Sequence, residues 1–561
     1  MSAFDLEHKT LRYRLGELLR DASDHLLLLT ATPHKGDPIN FSFFLQLLDQ
    51  DAYADVRSIR EAMNQRRAPF YIRRTKEAMV YFPERRPDVT WVAEKIFTKR
   101  IPHTVDFQID GAEFDLYRDV TRFVKQQSAK AAAQGDDPRA RAVGFLMSLY
   151  QRRLASSTQD LRQVPGVEAV TPAGSLRRGR ETVGDLDLLV TGPNATAALE
   201  RFYANPNVGE VLGRGGNKAS ARVGREGLQV DVRTLPPDTF GAAMQYFTGS
   251  KDHNVAIRTR AVKMGLKLSE YGLFRVEDES RVAGETEAGV YEAMGLPWIP
   301  PELRENAGEI EAALEGRLPE LIELKHIRGD LHMHTTETDG RATLEEMAEA
   351  ARRLGYEYIA ITDHSKALAM ANGLDERRAV AFAKQVREIN RDGLGLRVFS
   401  GLECDILRDG AMDLANDALA ELDVVTGSVH SHMNMEAAEI TDRLLRALEC
   451  PHLRILGHPT GRLLLQRDPF PFDFDRVVAE AVRRGVWLEI NASPERLDLH
   501  GPLIRSAKAK GARFTISTDA HHPKHLAAMR YGVVTARRGW LGPTDVMNTL
   551  PANAFAAALK K

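Results

Sequence analysis

The strongest constraint on the fold is a repeated pattern beyond Lys325, where short apolar segments alternate with amphipathic ones to the end of the chain. The apolar segments include "YEYIAITDH", "LRVFSGLECDI", "LDVVTGSVHS", "LRILGHP", "VWLEINAS" and "RFTISTDAHH". Strands that alternate with helices predict a parallel sheet or an α/β barrel. The carboxyl ends of parallel strands meet at one face, which is where such folds bind ligands.

Histidines and acids stand at those predicted strand ends. Twelve of the 17 histidines lie beyond residue 325. One such histidine is usually a core or surface residue, but a set on successive strand ends indicates metal ligands. In "GDLHMHTTETDG" (329–340), the two histidines are two positions apart and therefore face the same side of a strand. The candidate ligands are His332, His334, Asp339, His364, Glu403, His430, His458, Asp519 and His521.

Nine ligands are too many for one tetrahedral ion and suit about three ions with a bridging carboxylate. Imidazole with carboxylate favours zinc, manganese or iron, and the absence of thiolates disfavours a purely structural zinc. A multi-metal site lowers the pKa of a bound water to about 7 and clamps the oxygens of a phosphoester. The pattern therefore predicts hydrolysis of a phosphate ester.

A second group of acids lies in the middle of the chain. In "AGSLRRGRETVGDLDLLV" (173–190), Asp185 and Asp187 share one face of a predicted strand, and Asp231 follows on "LQVDVRTL". Three converging carboxylates suit two Mg²⁺ ions, which activate a 3′-hydroxyl and neutralise a triphosphate. Ahead of them, Gly174 and Ser175 offer backbone N–H groups and a hydroxyl, and Arg178 offers a charge, where phosphates can bind.

Several motifs carry a resemblance to a known family. "DLHMHTTETDG", "ITDHS", "GLECDI", "SVHSH", "GHPTGR" and "TDAHH" resemble the PHP (polymerase and histidinol phosphatase) domain at the C-terminus of bacterial family X DNA polymerases. The resemblance implies a distorted β/α barrel that holds three Mn²⁺ or Zn²⁺ ions. It also implies manganese-stimulated 3′–5′ exonuclease activity, with 3′-phosphatase or abasic-site cleavage as related outputs. Arg462 and Lys366 are either phosphate contacts or surface salt-bridge residues.

The acids around residue 185 are similar to the nucleotidyltransferase palm of family X polymerases, the group that includes DNA polymerase beta. The match runs from about residue 160 to 561 and includes "QYFTGSKDHN". The resemblance implies that Tyr246 and Phe247 face the sugar of the incoming nucleotide and that Gly249 allows the backbone to approach it closely. It also implies that Asn254 contacts the base edge, that Arg258 reaches the template strand and that Arg233 supports the catalytic aspartates.

The N-terminal part carries motifs of a different kind from those in the rest of the chain. "LLLLTATPHKGDPINF" (26–41) and "APFYIRRTKEAM" (68–79) resemble Swi/Snf-type superfamily-two helicases. A phosphate-binding G-x-x-x-x-G-K-[ST] loop, a D-E-x-H box and a second motor lobe are missing, so we expect no ATP-driven motor activity. The helix-hairpin-helix and lyase-type segments of the family are also not recognised upstream of the palm, and we therefore expect weak gap filling. Whether the helicase-like segment is a natural or an artefactual fusion stays open.

These patterns predict a multidomain α/β and α+β chain with three parts: a helical, RecA-like helicase fragment (1–157), a palm and thumb (158–320) and a PHP barrel (326–561). The net charge of −2 excludes a basic coat over the whole surface, the two cysteines fit a reducing compartment, and no apolar run spans a membrane. We expect a bacterial cytoplasmic, nucleoid-associated DNA repair enzyme that acts on gapped DNA or 3′ ends with dNTPs. The alternatives are a small-molecule PHP phosphatase of the histidinol-phosphatase type and a DNA-binding scaffold with a vestigial palm.

Overall fold

The computed structural model describes residues 160–224, 227–393 and 395–560, together with two short strands nearer the N-terminus. Those two strands, β1 (Val80–Tyr81) and β2 (Glu94–Lys95), pair antiparallel. The chain divides into two compact units, one holding β1 and β2 and the other all of residues 160–560. Apart from β1 and β2, the predicted helicase fragment lies outside the described residues.

Within residues 160–560, the chain first forms a five-stranded mixed sheet in the order β3-β4-β7-β6-β5. The two central strands, β4 and β7, run parallel, and the other pairs are antiparallel. One face, with Leu188 and Val230, packs against a helix that includes Phe202, while Leu189 packs on the opposite side. The elements are β3 (Ala169–Pro172), α1 (Gly174–Arg177), β4 (Asp185–Thr191), α2 (Ala197–Tyr203), β5 (Val208–Arg214), β6 (Lys218–Val223) and β7 (Leu228–Leu235).

A smaller helical region with a three-stranded antiparallel sheet follows. Its core contains Ile257, Leu273 and Tyr291. The Ser250 side chain accepts a hydrogen bond from the backbone of His253, and so caps the helix that begins at Lys251. The elements are α3 (Phe240–Thr248), α4 (Lys251–Lys263), β8 (Leu266–Ser269), β9 (Gly272–Arg275), β10 (Arg281–Ala283), α5 (Glu287–Glu292) and α6 (Glu309–Leu314).

The remaining residues form a seven-stranded sheet in which the strands are all parallel and follow one another in sequence order. Beyond the last strand, Met333 and Ala520 form a parallel bridge, so the sheet nearly closes on itself. The predicted parallel β/α barrel is confirmed. The strands are β11 (Gly329–Asp330), β12 (Tyr358–Ile361), β13 (Arg397–Asp405), β14 (Val424–Ser428), β15 (Leu453–Leu456), β16 (Trp487–Asn491) and β17 (Phe514–Ser517).

The helices of this barrel are amphipathic and bury their apolar faces against the strands. The final helix carries Phe555, which is fully buried against Tyr358, Phe399 and Trp487 near the amino ends of their strands. This end of the barrel is therefore filled with aromatic side chains, and the carboxyl end is left for polar groups. The helices are α7 (Leu344–Arg353), α8 (Glu376–Asp392), α9 (Asn416–Leu419), α10 (Ala437–Ala447), α11 (Phe474–Arg484), α12 (Gly501–Ala509), α13 (Met529–Arg538) and α14 (Ala552–Leu559).

Within the part of the chain that the structure describes, every helix is too short or too polar to cross a bilayer.

Candidate active sites

The structure brings all nine predicted metal ligands together at the carboxyl end of the barrel, on or just after the strands and in the loop that holds Asp339; His458 joins the others through Glu403. Glu403 lies at the centre, because its two oxygens face imidazoles from four other strand ends. The distances from these oxygens are 2.8 Å to His458 Nε2, 3.0 Å to His364 Nδ1, 3.2 Å to His430 Nε2 and 3.3 Å to His332 Nε2.

Two further carboxylates extend the cluster on the side of His334. Asp519 Oδ1 lies 3.2 Å from His334 Nε2, and Asp339 Oδ2 lies 3.3 Å from His521 Nε2. The side chain of Asp339 is 37% exposed, whereas those of Asp519 and His334 are 9% and 0% exposed, so the cluster opens to solvent at Asp339. Donor atoms lie within 4.8 Å of one another in three groups, and some histidines belong to two of them: His334, Asp339, His364 and His521; His332, His334 and Asp519; His364, Glu403 and His430.

Several ring nitrogens in this cluster are buried without a hydrogen-bond partner. They include both nitrogens of His334, Nε2 of His332, Nδ1 of His364 and Nδ1 of His458. An unpaired buried polar atom costs roughly 1–3 kcal/mol, so a cluster of them is costly unless a cation binds there. Imidazole nitrogens facing carboxylates are the donor set of zinc, manganese and iron sites. The residues present therefore fit a group of transition-metal ions.

The charges in the cluster are strongly coupled. Burial, then the charges of His521 and His364, lower the pKa of His334 to about 3. Burial opposes a charge on His364 as well, but Glu403 and Asp339 outweigh it and raise the pKa of His364 to about 10. Burial likewise opposes ionisation of Glu403, yet the surrounding histidines hold its pKa well below the usual value. At neutral pH the carboxylates are ionised and His334 is neutral, whereas His364 carries a proton that a bound cation would have to displace.

Two buried carboxylates that the sequence analysis missed orient these histidines. Glu489 Oε1 accepts from His332 Nδ1 at 2.7 Å, and Asp405 Oδ1 lies 2.7 Å from His430 Nδ1. A carboxylate on one ring nitrogen fixes the tautomer and turns the other nitrogen toward the metal. Asp405 could have been found, because it follows Glu403 by two positions and faces the same side of the strand.

Backbone strain is also concentrated here. His458 and Asp519 have φ angles of +24° and +54°, which non-glycine residues rarely adopt. Such conformations cost about 1–3 kcal/mol each and are found mainly at functional sites. The strained backbone at two of the nine candidate ligands indicates that the cluster is held in place by its surroundings.

The two predicted phosphate contacts of the barrel are engaged by protein groups. Arg462 Nε donates to the carbonyl of Arg496 at 3.0 Å, and its side chain is 11% exposed. Lys366 Nζ lies 2.5 Å from Glu376 Oε1 on the surface. A cation that was not predicted lies nearer the cluster, since Arg496 Nε is 3.4 Å from Asp519 Oδ2. The phosphate roles of Arg462 and Lys366 stay predictions.

The three predicted palm carboxylates also converge. Strands β4 and β7 are in parallel register with Asp187 opposite Asp231, and Asp185 precedes Asp187 on the same face. Burial, then the charges of Asp185 and Asp231, raise the pKa of Asp187 to about 6. Lys218 Nζ lies 3.1 Å from Asp231 Oδ2 and partly balances this negative charge. A site with this charge and these oxygen ligands fits Mg²⁺.

The predicted phosphate-binding turn lies against the acids. Gly174 has φ +62°, and a Cβ built there would come within 2.3 Å of Asp187 Oδ2, so a side chain at this position would displace that carboxylate. The Ser175 carbonyl accepts from the backbone N–H of Arg180 at 3.0 Å, which closes the turn. The guanidinium of Arg178 donates to the Thr248 carbonyl and, at 3.1 Å, to Glu305. Its predicted contact with a nucleotide phosphate remains untested.

The remaining predicted nucleotide-site residues gather around the carboxyl end of α3. The guanidinium of Arg233 lies 4.4 Å from the centre of the Phe247 ring, and that of Arg258 lies 5.9 Å from the centre of the Tyr246 ring. The Asn254 amide donates to the Tyr246 carbonyl at 2.6 Å and accepts from Gln245 at 3.0 Å. Gly249 has φ +70°, and a Cβ there would lie 3.1 Å from Arg178 Nη1.

The described part of the chain thus has two centres with different ligand chemistry. An open sheet presents three carboxylates beside a tight glycine turn, and a barrel presents six histidines with three carboxylates. The first arrangement is that of a nucleotidyltransferase and the second that of a metal-dependent phosphoesterase. The fold and the sites define a protein with both classes of centre in one chain.

Comparison with known proteins identifies the family. Residues 243–305 match the DNA polymerase beta thumb, and residues 330–493 match the PHP domain. The DNA polymerase/3′-5′ exonuclease PolX of Bacillus subtilis is 39% identical over 414 residues, which are 73% of this chain and 72% of that protein. The chain belongs to the PolX family of family X DNA polymerases with a PHP domain.

The barrel also has relatives that stand alone. A probable phosphatase of Caldanaerobacter subterraneus is 30% identical over 204 residues, 34% of this chain and 75% of that protein. A probable phosphatase of Syntrophotalea carbinolica is 26% identical over 231 residues, 39% of this chain and 90% of that protein. A solved structure of Leishmania infantum polymerase beta is 21% identical and covers 32% of this chain and 88% of that chain, with a TM-score of 0.26.

Proposed function

We propose that this chain is a DNA repair enzyme that extends DNA 3′ ends at the palm and removes nucleotides in the 3′–5′ direction at the PHP barrel. The observation that carries the proposal is the convergence of nine candidate ligands at the barrel mouth, with buried ring nitrogens that lack partners. Membership of the PolX family supports the pairing of the two activities. The proposed partners are gapped or 3′-ended DNA and dNTPs, which suits a bacterial cytoplasmic, nucleoid-associated protein.

At the palm, Asp185, Asp187 and Asp231 are the proposed ligands of two Mg²⁺ ions. Bound Mg²⁺ favours the deprotonated 3′-hydroxyl and neutralises the triphosphate. The N–H groups of the turn at Gly174 and Ser175 bind the phosphates, and Arg178 supports that turn.

The sugar and base of the nucleotide have their own proposed contacts. Close backbone approach at Gly249 lets the sugar lie against Tyr246 and Phe247. Asn254 contacts the base edge, and Arg258 contacts the template. The Arg233 guanidinium, held against Phe247, supports the aspartates.

At the barrel, the six histidines with Asp339, Glu403 and Asp519 are the proposed ligands of three Mn²⁺ or Zn²⁺ ions. Such ions, when bound, lower the pKa of a coordinated water and neutralise the phosphate oxygens. The protein's own contribution is orientation, because Glu489 and Asp405 fix the rings of His332 and His430. The exposed carboxylate of Asp339 marks the side from which a DNA end reaches the cluster.

A second candidate function is a small-molecule phosphatase, since the barrel alone is similar to two probable phosphatases. A small ester and a DNA 3′ end differ in the groups attached to the phosphate, so the rates at which the protein hydrolyses each substrate separate the two functions. We expect Mn²⁺-dependent shortening of a 3′-recessed DNA to exceed hydrolysis of histidinol phosphate. The opposite ranking favours the phosphatase, and a full complement of metal ions with neither activity points to a different substrate.

The direct test of the proposal uses the full chain with a one-nucleotide-gapped DNA. Primer extension is measured with Mg²⁺ and dNTPs, and primer shortening with Mn²⁺ alone. Asp187→Ala should abolish extension and leave shortening intact, whereas His334→Ala should do the reverse. If both variants lose both activities equally, the assignment of one chemistry to each centre is wrong.

A further inference from the structure

The turn that carries the proposed phosphate-binding groups rests directly on the barrel. Gly179 has φ +65°, and a Cβ built there would lie 2.2 Å from Val534 Cγ1 on α13 of the barrel. Real Cβ atoms do not come that close, so the backbone of the turn is in contact with this helix. Two residues further along, Glu181 lies 3.9 Å from Arg462 of the barrel, and both side chains are largely buried.

The same helix sends a buried charge into the turn. Arg538 Nη1 donates to the backbone carbonyl of Arg178 at 2.9 Å and to Glu305 Oε1 at 3.1 Å. The Arg538 side chain is only 4% exposed. The same Glu305 oxygen also accepts from Arg178 Nε at 3.1 Å. One carboxylate thus joins a guanidinium of the barrel to a guanidinium of the turn, and charge-assisted bonds of this kind are strong when buried.

The opposite side of the turn is equally constrained. Gly174 lies so close to the Asp187 carboxylate that a side chain there would displace it. Helix α1, which forms the turn, has only four residues, and no side chain caps its N-terminus. So short a helix does not hold its own position, because its own hydrogen bonds are too few. Its distance from Asp187 is therefore set by its neighbours, which are Glu287, bound by Arg177 at 2.8 Å, and α13 of the barrel.

We propose that Arg538, a residue of the PHP barrel, is a positioning residue for nucleotidyl transfer at the palm. It holds the Arg178 carbonyl and Glu305, and so fixes the turn that binds the nucleotide phosphates. The inference rests on the proposed function of that turn. It assigns the barrel a second role, as the rigid support of the polymerase centre, that is separate from its own hydrolytic chemistry.

The chain offers a matched control in the neighbouring residue. Arg537 lies on the same helix and also binds residues that precede the barrel in the chain. Its Nε lies 2.7 Å from Glu302 Oε1, and its Nη1 donates to the Ile322 carbonyl at 3.0 Å. None of its described contacts is to the turn. Arg538→Gln and Arg537→Gln therefore remove one interface charge each, and only the first should disturb nucleotide binding.

The experiment measures single-nucleotide gap filling by the full chain across a range of dNTP concentrations, with Mn²⁺-dependent 3′ shortening as a second readout. Loss of the two bonds from the Arg538 guanidinium predicts a rise in dNTP KM of about tenfold for Arg538→Gln, with kcat within about threefold. Arg537→Gln should keep the wild-type KM, and both variants should keep wild-type shortening. Arg538→Lys, which retains the charge, should recover part of the loss.

Each result has a defined meaning. If the wild-type chain does not extend primers, the proposed palm function fails. If it does, and the two glutamine variants have equal dNTP KM values, the positioning role of Arg538 is refuted. If Arg538→Gln loses both activities, Glu305→Gln decides: a raised KM with intact shortening supports the role, and an unchanged KM refutes it. In a double-mutant cycle, Arg538→Gln and Glu305→Gln should be clearly non-additive.

Discussion

Replacing Glu489 by glutamine tests whether the barrel histidines are presented to metal ions. Glu489 is fully buried, and each of its oxygens accepts a short hydrogen bond, to which the Asn491 amide adds a longer one at 3.3 Å on Oε2. Oε1 accepts from His332 Nδ1 at 2.7 Å, and Oε2 accepts from the backbone N–H of His458 at 2.6 Å. Glutamine has nearly the same shape but only one acceptor oxygen, so it cannot accept both bonds.

The substitution also changes the tautomer of a candidate ligand. The backbone N–H of His458 can only donate, so the single amide oxygen of the introduced glutamine must face it. The amide NH₂ then points at His332 Nδ1, which has to give up its proton and accept. That tautomer places the proton on Nε2, the nitrogen that faces Glu403 and the proposed metal. Glu489→Gln therefore blocks a ligand nitrogen without changing the size of the side chain.

Loss of such a supporting carboxylate typically lowers metal affinity about 10- to 100-fold, or about 1.4–2.8 kcal/mol. We expect a decrease in this range in a calorimetric Mn²⁺ titration of Glu489→Gln, with a matching shift in the Mn²⁺ concentration needed for 3′ shortening. Glu349→Gln is the control, because Glu349 pairs only with surface arginines of α7 in the described contacts. A wild-type Mn²⁺ titration for Glu489→Gln would refute the proposed orientation of His332.

Three further outcomes are expected. Because burial and the neighbouring acids raise the pKa of Asp187 to about 6, protons should compete with Mg²⁺ below that pH. The Mg²⁺ concentration for half-maximal primer extension should then rise as the pH falls from about 7 to about 5.5, and it should stay constant between about pH 7 and 8. A Mg²⁺ requirement that does not change over the whole pH range contradicts the assigned pKa. Gly174→Ala forces a Cβ toward Asp187 and requires a strained positive φ. Primer extension should therefore fall at least about tenfold while 3′ shortening is unchanged. Equal extension rates for the wild type and the variant would show that the turn can move. Phe555→Ala empties the aromatic end of the barrel and should lower its unfolding free energy by about 3–5 kcal/mol in urea titrations, where a change below about 1 kcal/mol would mean that the cavity collapses.

The barrel and its nine clustered residues were predictable because the signals are local. Alternating apolar and amphipathic segments indicate strands and helices, and parallel strands of one sheet end on the same side. His332 and His334 lie two apart, as do Asp519 and His521, so each pair could be recognised without knowledge of the rest of the fold. The palm acids were equally accessible, since Asp185 and Asp187 also lie two apart in one strand.

The supporting residues were not predictable in the same way. Glu489 is a single acid within an apolar strand, and its partner His332 lies 157 positions earlier in the chain. Arg538 contacts Arg178 across 360 positions, in a segment whose sequence resembles the basic end of any surface helix. Contacts over such separations depend on how the palm and the barrel pack, and no local pattern in one sequence records that packing.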